Sequence, residues 1–233
     1  MHTIRTFLSP ALVCVLSVAA LSGCKTETYE TGEATGKSIQ SAANGIDRGI
    51  TTLDATMNSL NDLVHHPAPD LAPQFAAFSK NLKQLDSQAE DVRRESGSME
   101  SKGKSYFTQW DAQIASITNE DLKARSMERR QEVDARFKQI KADYALARDK
   151  FKPLLGNLKD VRSVLSSDLT SSGVATVKPT VETLTKEAAD VKTALTDLSA
   201  EFRKLGVEIG KVTPPPPPPA TTTPATPPPT PPK

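Results

Sequence analysis

The chain reads as an all-α protein, an elongated antiparallel up-down bundle or coiled coil of four long helices, and three observations predict it. Apolar residues recur at alternating steps of three and four almost without interruption from residue 37 to residue 211. Turn-forming residues divide that span at only three places, around 65–69, 118–119 and 170–173. Finally, 24% of the residues are charged and only 5% aromatic, which suits helices joined along narrow seams better than a thick globular core.

The first predicted helix covers about 37–64. Ile39, Ile46, Ile50, Leu53, Met57, Leu60 and Val64 mark its seam, with one place skipped near Ala43. His65, His66, Pro67, Ala68 and Pro69 end it; Asp70 can cap the next helix, and Pro73 is tolerated in a first turn. The second helix, about 70–117, keeps the period from Leu71 through Phe78, Leu85, Met99 and Tyr106 to Ile117, a length of about 70 Å. Its stretch from Arg93 to Lys104 is weaker, because Gly97 and Gly103 each cost about 1 kcal/mol against alanine and Ser96 is a poor seam residue. A flexible spot is expected there.

Thr118 and Asn119 offer caps to the third helix, about 119–169, with Glu120 and Asp121 complementing the dipole of its first turn. Its seam runs through Val133, Phe137, Ile140, Ala147, Leu158 and Leu165, and Pro153 should kink it. Thr170 to Gly173 then reads as a turn. The fourth helix, about 176–210, carries Val177, Val181, Leu184, Val191, Leu198, Phe202 and Ile209, and Pro179 fits only an opening turn.

Short connections make sequential helices antiparallel. The two central helices are longer than the outer pair, so part of the hairpin between them, about 98–136, is expected to project unflanked by about 30 Å. Tyr106, Phe107, Trp110 and Ile114 lie on it. Aromatic residues at this spacing either fill the seam of the hairpin or offer a binding surface to another copy or a different protein. Both chain ends should leave the bundle at the end where the hairpin projects, which would bring the hairpin near whatever holds the N-terminus.

Residues 1–23 carry an apolar run from Phe7 to Leu21, too short to span a bilayer and preceded by Arg5. Leu21, Ser22, Gly23 and Cys24 close that run and resemble a bacterial lipobox. The resemblance implies cleavage between Gly23 and Cys24 and acylation of the Cys24 thiol, giving a membrane anchor through lipid. Lys25, where an aspartate would retain the protein at the inner membrane, implies an outer-membrane lipoprotein facing the periplasm of a Gram-negative envelope. Residues 24–36 then form the lipidated cysteine and a polar, disordered tether. At the other end, 212–233 is nearly all proline, threonine and alanine, a disordered tail expected to favour polyproline II and to act as a spacer.

These assignments exclude several function classes. Cys14 leaves with the signal and Cys24 is consumed by lipid, so no thiol remains for a disulfide or metal. Arg5 is also lost, leaving 28 basic against 28 acidic residues, and nucleic-acid binding loses its electrostatic basis. His65 and His66 are adjacent and cannot face each other as metal ligands. No phosphate-cradling loop, nucleophile elbow or cysteine–histidine cluster occurs. No catalytic residue, metal site or cofactor is expected, and the chain reads as non-enzymatic.

The segment from Trp110 to Ser116, then Asn119, Leu122 and Arg125, and later Lys150, Phe151, Lys152, Pro153, Leu154 and Leu155, resembles a bacterial family of unknown function, DUF2959. Phe107, Trp110 and Pro153 are its anchors, and the likeness covers most of Gly36 to Lys211. It implies a helical protein, often a lipoprotein, and supplies no catalytic residues. The expected role is therefore a structural spacer, or a rod gripping a protein partner or itself. A lipid-binding helical bundle is the alternative. A more distant one is attachment to peptidoglycan through the C-terminal Lys233, which resembles the terminal lysine of the wall-linked outer-membrane lipoprotein.

Overall fold

The computed structural model describes residues 28–210. The expected signal segment, Gly23, Cys24 and the proline-rich tail with Lys233 lie outside the described residues. Four helices account for nearly all of the rest: α1 (Thr28–His65), α2 (Ala72–Ala115), α3 (Glu120–Ser167) and α4 (Ser171–Gly210). Each helix packs against its two sequence neighbours, with α4 closing back on α1, and the diagonal pairs do not approach. This is the antiparallel up-down bundle that the hydrophobic period predicts.

Local chemistry fixes the turns. Between α1 and α2, Gln74 donates to Asp62 Oδ2 at 2.7 Å and to the His66 carbonyl at 3.0 Å, while its Oε1 accepts from the Ala68 N–H at 2.9 Å. Asp70 accepts from the Ala72 N–H at 3.0 Å, one residue before the cap position, and Pro73 sits in the first turn as expected. Asn119 caps α3, its side chain accepting from Leu122 N at 3.0 Å.

Three expectations need correction. Residues 170–173 are the cap and opening turn of α4 rather than a separate turn, because the Thr170 hydroxyl accepts from Gly173 N at 3.2 Å. Pro179 consequently lies inside α4, on an exposed position where the carbonyl it leaves unpaired can meet water. Pro153 likewise occupies an exposed position inside α3.

The largest correction concerns residues 28–36. Expected as tether, they form the first turns of α1. Their small side chains let α1 sink between α2 and α4: a Cβ on Gly32 would lie 3.0 Å from a Tyr106 ring carbon, and one on Gly36 would lie 2.6 Å from the Gly206 carbonyl oxygen. Thr35, fully buried, donates to the carbonyls of Thr31 at 2.7 Å and Lys102 at 3.3 Å. Poor intrinsic helix formers are thus held helical by tertiary packing.

The core is a column in two parts, bridged by Leu195. One part, around Leu53, Leu60, Phe78, Leu158 and Val181, lies toward the α1–α2 and α3–α4 turns. The other holds Ile39, Tyr106, Phe107, Trp110, Phe137 and Phe202 at the end where α1 begins and α4 finishes. Gly103 belongs to this second part: it is the notch that receives the Phe137 ring, not a loose point in α2, which runs unbroken past Gly97 and Gly103.

Candidate functional site

The residues singled out for partner binding, Tyr106, Phe107, Trp110 and Ile114, are all buried within the bundle. Tyr106 packs against Phe107 and Trp110 with ring centroids 5.4 and 5.3 Å apart, and Phe107 meets Phe137 edge-on at 5.6 Å. The Arg130 guanidinium lies 4.8 Å above the Phe107 ring and bonds both carboxylate oxygens of Asp111 at 2.8 and 3.0 Å. Trp110 Nε1 donates to Ser126 Oγ at 3.3 Å. This cluster is core, so the surface reading of the hairpin is overturned. The early start of α1 supplies the cover that the projecting hairpin was expected to lack.

What does project is much shorter. Thr31 donates to Gln109 at 2.6 Å, which places the start of α1 close to the level of Trp110, and Glu208 near the end of α4 pairs with Arg129 and Arg136. Among the described residues, only the end of α2, the connection 116–119 and the opening turns of α3 pass beyond these two ends. Leu122 lies four residues before Ser126 on the inner seam of α3, yet it is 56% exposed. Neither α1 nor α4 reaches it.

The Glu208 carboxylate joins α3 to α4 at this end, receiving both Arg129 and Arg136. Burial works against charge on Arg129, but hydrogen bonds and the negative charges of Glu208 and Glu132 outweigh it and raise its pKa. For Asp134, burial favours the neutral acid; the hydrogen bond from Lys138 and the charges of Arg130 and Lys138 nevertheless hold its carboxyl below the usual range. These are ion pairs of a helix surface, each contributing about 1 kcal/mol or less.

Tyr106 is different, because its hydroxyl is buried with no hydrogen-bond partner. Burial, modified by the opposed charges of Arg129 and Glu208, pushes its pKa up to about 12 from 10.0. The neutral phenol is the form the fold accepts. Its contribution to stability is intact below pH 10 and is lost as pH rises from about 10 through 12. Tyr106→Phe removes an unsatisfied polar atom, so it should leave stability unchanged or raise it by up to about 1 kcal/mol. Alkaline unfolding followed by phenolate absorbance checks both points: the variant should lose the step near pH 12 and withstand that window better, whereas a clear destabilisation at neutral pH would refute the argument.

A feature the sequence reading missed lies between α3 and α4. Their surfaces leave a cleft of about 250 Å³ lined by Leu146, Ala147, Leu198, Asp143, Asp197 and Lys150 among others, and a second of about 180 Å³ adjoins it, sharing Asp143 and Glu201. Leu146, 63% exposed, stands beside it. The signal was present in the sequence as an apolar residue off the α3 seam, between Tyr144 and Ala147. His65 and His66 are exposed at the opposite end of the bundle. Among the described residues no three His, Cys, Asp or Glu side chains gather as a metal site, and no helix is long and apolar enough to cross a membrane.

No curated protein and no solved structure matches the chain significantly. The family model described as a protein of unknown function, DUF2959, matches residues 30–204, from the first turn of α1 nearly to the end of α4. That span takes in the buried aromatic cluster, Gly36 on α1 and the α3–α4 cleft, while Gly206, the apolar start and the proline-rich end fall outside it. With the match covering well over half of its length, the chain belongs to the DUF2959 family.

Proposed function

We propose that the protein is a lipid-anchored, non-enzymatic component of the bacterial envelope, held by an acylated Cys24 at the outer membrane and facing the periplasm. Its helical rod sets a distance or engages a protein partner. The observation carrying this reading is the Leu21–Ser22–Gly23–Cys24 sequence at the end of the apolar run, placed just ahead of a bundle whose longest helix has 48 residues. Such a helix spans about 72 Å. Burial of the hairpin aromatics supports the spacer form over a grip through Tyr106 or Trp110, since those rings are already occupied. The tail would extend the spacer, with attachment to peptidoglycan through Lys233 a more distant form of the same role.

Two or three acyl chains make detachment negligible, each buried CH₂ contributing about 0.8 kcal/mol. Cys24→Ser is therefore expected to move the protein from the membrane to the soluble fraction, and mass spectrometry of the mature wild-type chain should find its first residue acylated. An unmodified N-terminus would remove the reading. The lipid-binding alternative is supported by the open α3–α4 cleft with its apolar floor. Saturable binding of a fluorescent fatty acid, weakened by Leu198→Asp, would favour it.

A further inference from the structure

We infer that the α2–α3 tip, led by Leu122 and Ile117, rests in the headgroup layer of the membrane that holds Cys24. The inference builds on the proposed acylation of Cys24 and adds an orientation and a lipid-contacting site. Three residues separate Cys24 from Thr28, the first residue of α1. The α-carbons of Cys24 and Thr28 are then at most about 14 Å apart. A twelve-residue tether would let the bundle wander; this one cannot.

The end of the bundle facing that short link is also the end with the projecting tip. Thr31 against Gln109 and Glu208 against Arg129 set the levels at which α1 starts and α4 stops. From there Leu122 lies one to two turns further out, about 5–10 Å. The projection therefore crosses most of the gap that the link permits. A seam leucine that is 56% exposed, beside a half-buried Ile117 in the connection, leads the approach. Tyr29, second residue of α1 and 44% exposed, suits the same layer, where aromatic rings with a polar edge are favoured.

Charge is not the attraction. Around the tip Glu120, Asp121 and Glu128 stand against Lys123 and Arg125, leaving no positive excess for anionic lipid. Contact arises because the anchor holds an apolar tip at high effective concentration beside the interface. It should therefore be the same on neutral and anionic membranes and insensitive to salt. The His65–Leu71 end points into the periplasm, and the proline-rich tail sets out from the membrane-proximal end.

With Cys24 acylated and Cys14 removed, a cysteine introduced elsewhere is the only free thiol. Full-length acylated protein carrying Leu122→Cys, or His66→Cys at the far end, is labelled with an environment-sensitive fluorophore and bound to vesicles. These are phosphatidylcholine alone or a phosphatidylethanolamine–phosphatidylglycerol mixture. At position 122 we expect blue-shifted emission, quenching by lipid-borne nitroxide and several-fold protection from aqueous iodide on both vesicle types; at 66, none of these. A label at 122 as open to iodide as the one at 66, on protein that floats with the vesicles, overturns the tip contact and leaves the anchor intact. Protection from iodide without quenching from the lipid also overturns it, assigning Leu122 to the proline-rich tail or to a second copy. A chain that is not acylated and does not float removes both the anchor and the contact.

Discussion

Gly36→Leu is expected to lower the melting temperature by about 6–12 °C, from a loss of about 3 kcal/mol or more in a bundle of this size. A Cβ at this position would meet the Gly206 carbonyl oxygen at 2.6 Å and the Gly210 nitrogen and Cα at 2.8 and 2.9 Å. All three are backbone atoms, so no rotamer change relieves the collision. The gain in helix propensity, about 1 kcal/mol, is too small to offset it. Either α1 and α4 move apart along their whole closely packed end, or the first turns of α1 peel away and uncover Tyr106. Hydrogen exchange distinguishes these routes through the loss of amide protection over 28–40. An unaltered melting temperature together with native protection there would mean that the two helices do not meet as described.

Gly103→Ala should cost about 2 kcal/mol even though alanine is the better helix former. Its Cβ would lie 2.3 Å from Phe137 Cζ, and Phe137 is buried and held on its other side by the Phe107 ring. Trimming the obstacle should restore much of the loss. The double variant Gly103→Ala with Phe137→Leu is expected to show a favourable coupling of about 1 kcal/mol or more in chemical denaturation. Gly97 serves as the internal control, because nothing lies within 4 Å of a Cβ there, and Gly97→Ala should stabilise by up to about 1 kcal/mol. Equal responses at the two positions would return Gly103 to the status of an ordinary weak point in α2.

The contrast between these glycines marks what a linear pattern can carry. Period and cap chemistry were enough to place α2 and α3 within two or three residues, since Asn119, Pro73 and the seam from Leu71 to Ile114 act through neighbours in sequence. Gly97 and Gly103 look alike on that scale. They differ because a ring from α3 enters one site and only solvent faces the other. The aromatic residues of α2 posed the same difficulty: Tyr106, Phe107 and Trp110 had a seam spacing whether or not another helix lay over them. The α3–α4 cleft was visible only as one leucine out of register.

By itself the sequence determined the helical class, the four-element order and most of the seam, because a repeat near 3.5 residues constrains any chain that must hide its apolar stripe from water. It also determined which end carries a candidate lipid anchor. Only the tertiary structure decided where the bundle begins. Thr28 to Gly36 has no hydrophobic period and carries two glycines, and it becomes helix because α2 and α4 leave a groove that only small side chains can enter. That groove shortens the link to Cys24, buries the aromatic cluster and leaves Leu122, rather than Trp110, at the exposed tip. The physical reason is that burial depends on what lies opposite a residue, and residues 32 and 106 or 36 and 206 become opposites only once the chain has folded back on itself.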